Sequence, residues 1–310
     1  MDNAFKVAKD GQVYDYRIPQ QLTLTDVTNF FSAKYKVSDL KQVGRHVTGI
    51  LNDGKQDLFL KLSTTKGISI ITQNEYKWNE EFGKNENPRF EVPHNVTFGE
   101  YNGLYYFLTE ILKGEPLATT ANFTLNSSFE PMIPEIIDFA DFISTQKITG
   151  VGRPDVVTGK TPQEWFVNKT KSWLDAIPIP IQAQFNLVLL FAKVESGAKT
   201  LTVKPRHGDF TPWHLLKTPL GLGLLDGEHA RSEGVELYDI GYLIQRVHTI
   251  SKNPAVAQKI LTTAERKGHP LEKIKIILVA RAIGGFLDAH LAGKTDFSLE
   301  KEFKDWISSL

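Results

Sequence analysis

VKPRHGDFTPWHLLKTPLGLGLLDGEHA, residues 203–230, carries His207, Asp209 and His214 on one segment and Asp226, Glu228 and His229 on a second. Two short apolar runs, 201–203 and 222–225, flank it, and each leads into one of these polar clusters. If the runs are strands paired as a hairpin or lying as near neighbours, both clusters fall at the same end of a small sheet. Carboxylates gathered at one place repel each other unless a cation or a positively charged substrate group joins them. A divalent metal is therefore the first expectation.

The spacing resembles the protein-kinase pattern, in which His-x-Asp is followed by a metal-binding Asn, a strand and a second, Mg²⁺-holding Asp. Here His207-Gly208-Asp209 leads to Phe210-Thr211-Pro212-Trp213-His214, and Asp226 follows Asp209 by 17 positions within Leu224-Leu225-Asp226-Gly227-Glu228. The HGDFTPW form is most similar to the aminoglycoside phosphotransferase and choline kinase group of small-molecule kinases. The departure is His214, which stands where that family has Asn. Imidazole ligates metals, whereas Mg²⁺ prefers oxygen.

Working outward, the first third of the chain reads as strands and the rest as helices, which argues an α+β fold or two separate units. A short strand at 13–18 and a helix at 25–35 precede two or three strands within 39–62, with Asp53-Gly54 as a tight hairpin turn. Lys61 stands among hydrophobic neighbours in the last of these. It is either an edge lysine on a solvated face or a phosphate-binding strand lysine. Residues 70–82 read as a helix carrying Glu75, Glu80 and Glu81, and 91–112 as a hairpin around Asn102-Gly103. Helices are expected at 134–148, 162–176, 181–196, 235–250, 254–267, 271–292 and 299–308, several opening on Pro or an acid.

The resemblance covers roughly residues 37–250. It implies a two-lobed protein-kinase-like fold, with an antiparallel-sheet nucleotide-binding lobe at 1–112 and a mostly helical catalytic and substrate lobe at 113–310. By the same resemblance Asp209 is the catalytic carboxylate, and Asp226 with His214 holds the metal. Lys61 contacts phosphates and Glu75 orients it. Glu110 to Leu112 form the hinge edge that meets the adenine. His207 packs and hydrogen-bonds beneath the catalytic loop and Asp239 ties that loop down. Phe210 and Trp213 support it, and Glu228 either reaches metal or substrate or is solvated. The implied activity is ATP- (or GTP-) and Mg²⁺-dependent transfer of the γ-phosphate to the hydroxyl of an aminoglycoside-, choline- or sugar-like small molecule. Specificity would lie on helices within 131–176 and 254–292.

Composition narrows the alternatives. Lys plus Arg and Asp plus Glu are 36 each, so no polyanionic partner such as nucleic acid is expected. The absence of cysteine excludes disulfides, thiolate nucleophiles and zinc-thiolate sites. The first fifteen residues lack an apolar signal core, and the apolar stretch 274–291 is broken by Lys275, Arg281, Gly284 and Asp288. A cytoplasmic protein that does not enter membranes is expected. Gly159-Lys160-Thr161 and Gly293-Lys294-Thr295 lack the earlier glycine of a Walker A loop, since Pro154 and Asp288 stand there. Gly44 and Gly49 frame a turn whose amides could face phosphates. Tyr238 follows Asp226 by only 12 positions, too short a connection for a protein-kinase activation segment. Two further readings remain open: a nucleotide-binding protein that has lost transfer, and a metal-dependent hydrolase using His207, Asp209, His214, Asp226 and His229.

Overall fold

The computed structural model describes residues 3–85 and 87–310; Met1, Asp2 and Glu86 lie outside the described residues. The first part contains β1 (Lys6–Lys9), β2 (Gln12–Asp15), α1 (Leu24–Ser32), β3 (Lys36–Val43), β4 (His46–Asn52), β5 (Asp57–Ser63) and α2 (Lys66–Phe82). β6 (Phe90–Glu91), β7 (Asn95–Tyr101), β8 (Leu104–Glu110) and β9 (Glu115–Pro116) follow. Next come α3 (Ile133–Thr145), α4 (Pro162–Ala176), α5 (Ile179–Gln184) and α6 (Leu187–Gly197). The remainder is β10 (Val203–Arg206), β11 (Leu215–Lys217), β12 (Leu222–Leu224), β13 (Arg231–Val235), α7 (Tyr238–Thr249), α8 (Pro254–Arg266), α9 (Leu271–Leu291) and α10 (Ser298–Ser309).

A five-stranded antiparallel sheet runs β3-β4-β5-β8-β7. Its turns follow from local chemistry. The Asp53 carboxylate accepts from the amides of Lys55 and Gln56 at 2.8 and 2.9 Å, and Gly54 takes the left-handed backbone that closes the β4–β5 loop. Asn102 and Gly103, both at positive φ, close β7–β8. β5 lies in the middle of the sheet, with Lys61 opposite Thr48 on one side and Phe107 on the other. An edge position for Lys61 is thereby excluded.

Helix α2 starts at Thr65, whose side chain accepts from the amide of Ile68. It buries polar groups as well as apolar ones. Asn74 donates to the carbonyls of Glu228 and Ala230 and accepts from the Gly152 amide at 2.7 Å. These bonds lock α2 to segments far along the chain. The helical part packs around α9, which is buried on nearly all sides, as a helix at the centre of a core must be. No helix of the described residues is long and apolar enough to cross a membrane.

Three expectations are corrected. The runs near 201 and 222 do not pair with each other: β10 pairs with β13, and β12 with β11 and β6. Two nested hairpins result, and they still bring both polar clusters to one end. The helix expected at 181–196 is two helices, because Asn186 turns left-handed between them, a conformation Asn tolerates. The helix expected from 235 begins at Tyr238, since the preceding residues are taken up in β13 and Leu237 takes a positive φ.

Residues 3–16 bond to segments of the helical part. Ala8 donates to the Pro154 carbonyl and Val156 to that of Lys6, and Lys169 Nζ reaches the Ala4 carbonyl at 2.5 Å. The β1–β2 hairpin also touches α2. It therefore joins the sheet-bearing part to the helical part.

Candidate active site

β10 delivers the chain to the loop 207–214. Asp239, at the start of α7, accepts from the amides of His207 and Gly208, each at 2.8 Å. Burial pushes the Asp239 carboxyl up to about 6, against the pull of those two amides. Gly208 has φ +83°, and a Cβ there would lie 2.4 Å from the His229 carbonyl. The loop is thus held from below by a carboxylate and from the side by the neighbouring loop.

β11 and β12 then set the register that joins the clusters. Leu215 lies opposite Leu224, and the Leu225 amide donates to the His214 carbonyl at 2.9 Å. His214 consequently sits between two acids, 3.6 Å from Asp209 Oδ2 through Nδ1 and 3.4 Å from Asp226 Oδ2 through Nε2. Burial opposes a charge on this imidazole, but the two carboxylates outweigh it and raise its pKa. Asp226 itself adopts the left-handed region at φ 66°, uncommon for a residue with a side chain and frequent at functional sites.

Lys61 Nζ lies 2.5 Å from Glu75 Oε2 and 2.5 Å from Asp226 Oδ1. Burial disfavours the ammonium, yet Asp226 and Glu75 reverse the balance and hold it protonated. Asp226, although partly buried, is kept ionised by Lys61. Burial pushes Glu75 up to about 7, with Lys61 opposing. The structure thereby joins β5, α2 and the 225–230 loop through one cation.

Two groups of side chains among the described residues could hold a metal ion: Asp209, His214 and Asp226, and Glu75, Asp226 and Glu228, each with ligand atoms within 4.8 Å of one another. Carboxylate oxygens supply the hard donors that Mg²⁺ prefers, so Asp209 and Asp226 of the first group fit a divalent cation, whereas the second group already holds the Lys61 ammonium between Glu75 and Asp226. His207 and His229 belong to neither, and the five-residue cluster expected for a hydrolase does not form. His207 is fully buried and packs edge-on against Trp78 at 5.5 Å, with burial pulling its pKa down to about 3. Neither of its ring nitrogens has a hydrogen-bond partner among the described residues, contrary to the hydrogen-bonded support expected of it. His229 contacts Glu228 and Arg153 instead.

Glu110 ends β8 opposite Leu58, and Leu112 packs close to Gly223 of β12. Phe210 is buried against Phe139, whereas Trp213 lines a cavity next to Asp209. That cavity, about 420 Å³, is also lined from α4, α7, α9 and the N-terminal hairpin. The sequence reading missed Arg45 in the turn after Gly44, which reaches the buried Glu228. It also missed Tyr16, Arg153, Arg206 and Arg231 around the cavity. Only Arg206, adjacent to His207-Gly208-Asp209, stood close enough to a motif to be found; the others are far apart in sequence.

No protein-family profile and no curated protein sequence matches the chain. Solved structures do. The aminoglycoside phosphotransferase APH(4)-Ia aligns over 92% of this chain and 98% of its own, with a TM-score of 0.70 and 14% identity. Choline kinase LicA from Streptococcus pneumoniae aligns over 93% and 99%, with a TM-score of 0.60 and 17% identity. The GDP and kanamycin complex of APH(2")-IIIa gives 93% and 98%, with a TM-score of 0.62 and 15% identity. The chain has the two-lobed protein-kinase-like fold of the aminoglycoside phosphotransferases and choline kinase.

Proposed function

We propose that the protein is an ATP- or GTP- and Mg²⁺-dependent phosphotransferase acting on a hydroxyl of a small molecule. The observation that carries this reading is the chain of contacts Glu75–Lys61–Asp226–His214–Asp209, which runs from the centre of the sheet to the loop beside the cavity. Further support comes from relatives in fold solved with AMP-PNP and hygromycin B, and with GDP and kanamycin.

In this reading Lys61 binds phosphate oxygens and Glu75 keeps its ammonium aimed into the cleft. Glu110 to Leu112 meet the base. Asp226 and His214 hold the metal, which supplies charge neutralisation on the phosphates. Asp209 orients the acceptor hydroxyl and takes its proton as the oxygen bonds to the γ-phosphorus. The bond from that phosphorus to the bridging oxygen breaks, and the nucleoside diphosphate leaves with the electron pair. Asp239 keeps the 207–208 backbone fixed, so Asp209 is presented without reorganisation.

Thermal unfolding with and without Mg·ATP and Mg·GTP tests the reading. Nucleotide at about 100 times its dissociation constant stabilises by about 2.7 kcal/mol. The expected shift requires Mg²⁺ and is lost in Lys61→Ala. Asp209→Asn should retain the shift while turnover falls by about 10²- to 10⁴-fold. No shift with either nucleotide would remove the proposal.

A further inference from the structure

The cavity beside Asp209 is unusual in charge. Six cationic side chains line it, Arg153, Lys169, Arg206, Arg231, Arg246 and Arg281, against two lining carboxylates, Asp209 and Asp288. Asp288 is already engaged, 3.0 Å from Arg246 and 3.7 Å from Arg281. Asp155, behind the wall, serves three of the cations at once: Arg153 at 2.8 Å, Arg231 at 3.0 Å and Lys169 at 3.9 Å.

Among the described residues the buried Nε and Nη1 of Arg206 have no hydrogen-bond partner, and its side chain interacts with Tyr238 rather than with a carboxylate at ion-pair distance. Arg246 and Arg281 each leave a buried Nε unpartnered as well. A buried guanidinium donor without an acceptor is costly, and such groups mark a place where an acceptor is expected to arrive. Burial lowers the pKa of Arg206, and it takes Arg231 down to about 10 and Lys169 to about 7; other cations in the group add to each effect.

Three aromatic side chains of the cavity are covered closely by these cations. Arg206 lies 3.6 Å from the Tyr238 ring centroid, Arg231 4.1 Å from that of Trp165, and Arg281 4.3 Å from that of Tyr242. An acceptor bearing a quaternary ammonium needs free aromatic faces, and a polyamine needs carboxylates. Neither predominates: cations lie over the other lining rings, leaving Phe123 and Trp213, and Asp209 is the one lining carboxylate without a guanidinium partner, against six cationic side chains. A guanidinium stacked by its face keeps its in-plane N–H fork for a carboxylate or phosphate.

Resting on the kinase reading above, we infer that the acceptor is an anionic hydroxyl compound, whose carboxylate or phosphate is held by Arg206, Arg231, Arg246 and Arg281 while its hydroxyl meets Asp209. The transfer is the one already written: acceptor oxygen to γ-phosphorus, proton to Asp209, diphosphate departing.

Tryptophan fluorescence reports on the cavity directly, since Trp165, Trp173 and Trp213 line it. The probes are D-gluconate, glucose 6-phosphate and sulfate as anions, glucose as the neutral counterpart, and choline and kanamycin as cations. At least one anion should bind, at least tenfold more tightly than glucose, with choline and kanamycin weaker still. Gluconate against glucose 6-phosphate distinguishes carboxylate from phosphate. Arg231→Gln and Arg246→Gln, on different elements, should each weaken the anion by about tenfold or more, with Arg231→Lys intermediate. Binding by choline or kanamycin with none by the anions overturns the inference, as does failure of every anion to bind, or anion binding unchanged in both Gln variants. Mg·ATP and Mg·GTP shifts measured on the same samples keep the two proposals apart: their absence removes the kinase reading, whereas their presence with cation-selective binding removes only the anionic acceptor.

Discussion

His214 carries a positive charge between Asp209 and Asp226 more readily than an ordinary histidine, and an imidazolium there competes with a divalent cation for the same oxygens. Replacing it by Asn provides an oxygen donor and removes the competing charge. His214→Asn is expected to lower the Mg²⁺ concentration for half-maximal turnover by about tenfold; abolished turnover would instead give His214 a role of its own. Lys169 offers a pH test of how deeply its ammonium is buried beside the cavity. Burial brings its pKa from 10.5 to about 7. The unfolded chain therefore binds more protons than the folded one between these values, and stability rises with pH across that window. Urea unfolding of wild type and Lys169→Met should give a stability difference that grows in favour of wild type from about pH 7 to pH 10. A constant difference would mean that burial does not depress the Lys169 ammonium.

The loop 207–214 and the helix α7 work as one element. Asp239 satisfies two buried amides, and its removal leaves both unpaired where water does not reach. Asp239→Ala is expected to cost about 3 kcal/mol in urea unfolding, with loss of turnover because the 207–209 backbone is released; a loss under 1 kcal/mol would deny it that role. The same logic explains the two shifted helix boundaries. Propensity and apolar spacing marked helices through 181–196 and from 235. They do not register that Asn186 can reverse the chain, or that 231–235 finds a partner strand in β10. The termini of α4 and α8, by contrast, were readable, since Thr161-Pro162 and Asn253-Pro254 place a cap and an N1 proline side by side.

At the scale of the whole molecule, the N-terminal hairpin ties the two parts together and closes one side of the cavity through Phe5 and Tyr16. Val7 anchors it, fully buried beside Tyr16, Ile68 and Ile71. A charge at this position has no partner available in that apolar cluster. Val7→Asp should lower unfolding free energy by about 3 kcal/mol or more and raise the acceptor KM more than the nucleotide KM. An equal effect on both would place the hairpin's influence outside the cavity.

What the sequence determined by itself is local. His207-Gly208-Asp209 and Leu224-Leu225-Asp226 are contiguous strings, Asp53-Gly54 and Asn102-Gly103 are self-contained turns, and the passage from strands to helices is a change of period along the chain. Each of these depends on interactions a few residues apart, which a string of residues records. The tertiary structure alone decided that Asp226 joins the expected Glu75 at Lys61, that the His207 imidazole has no hydrogen-bond partner among the described residues, and that cations from β10, β13, α4, α7 and α9 converge on one cavity. With Lys plus Arg and Asp plus Glu balanced at 36 each, the chain as a whole gives no hint of a cationic centre. Charge sums are blind to position, and an electrostatic field is made by distance.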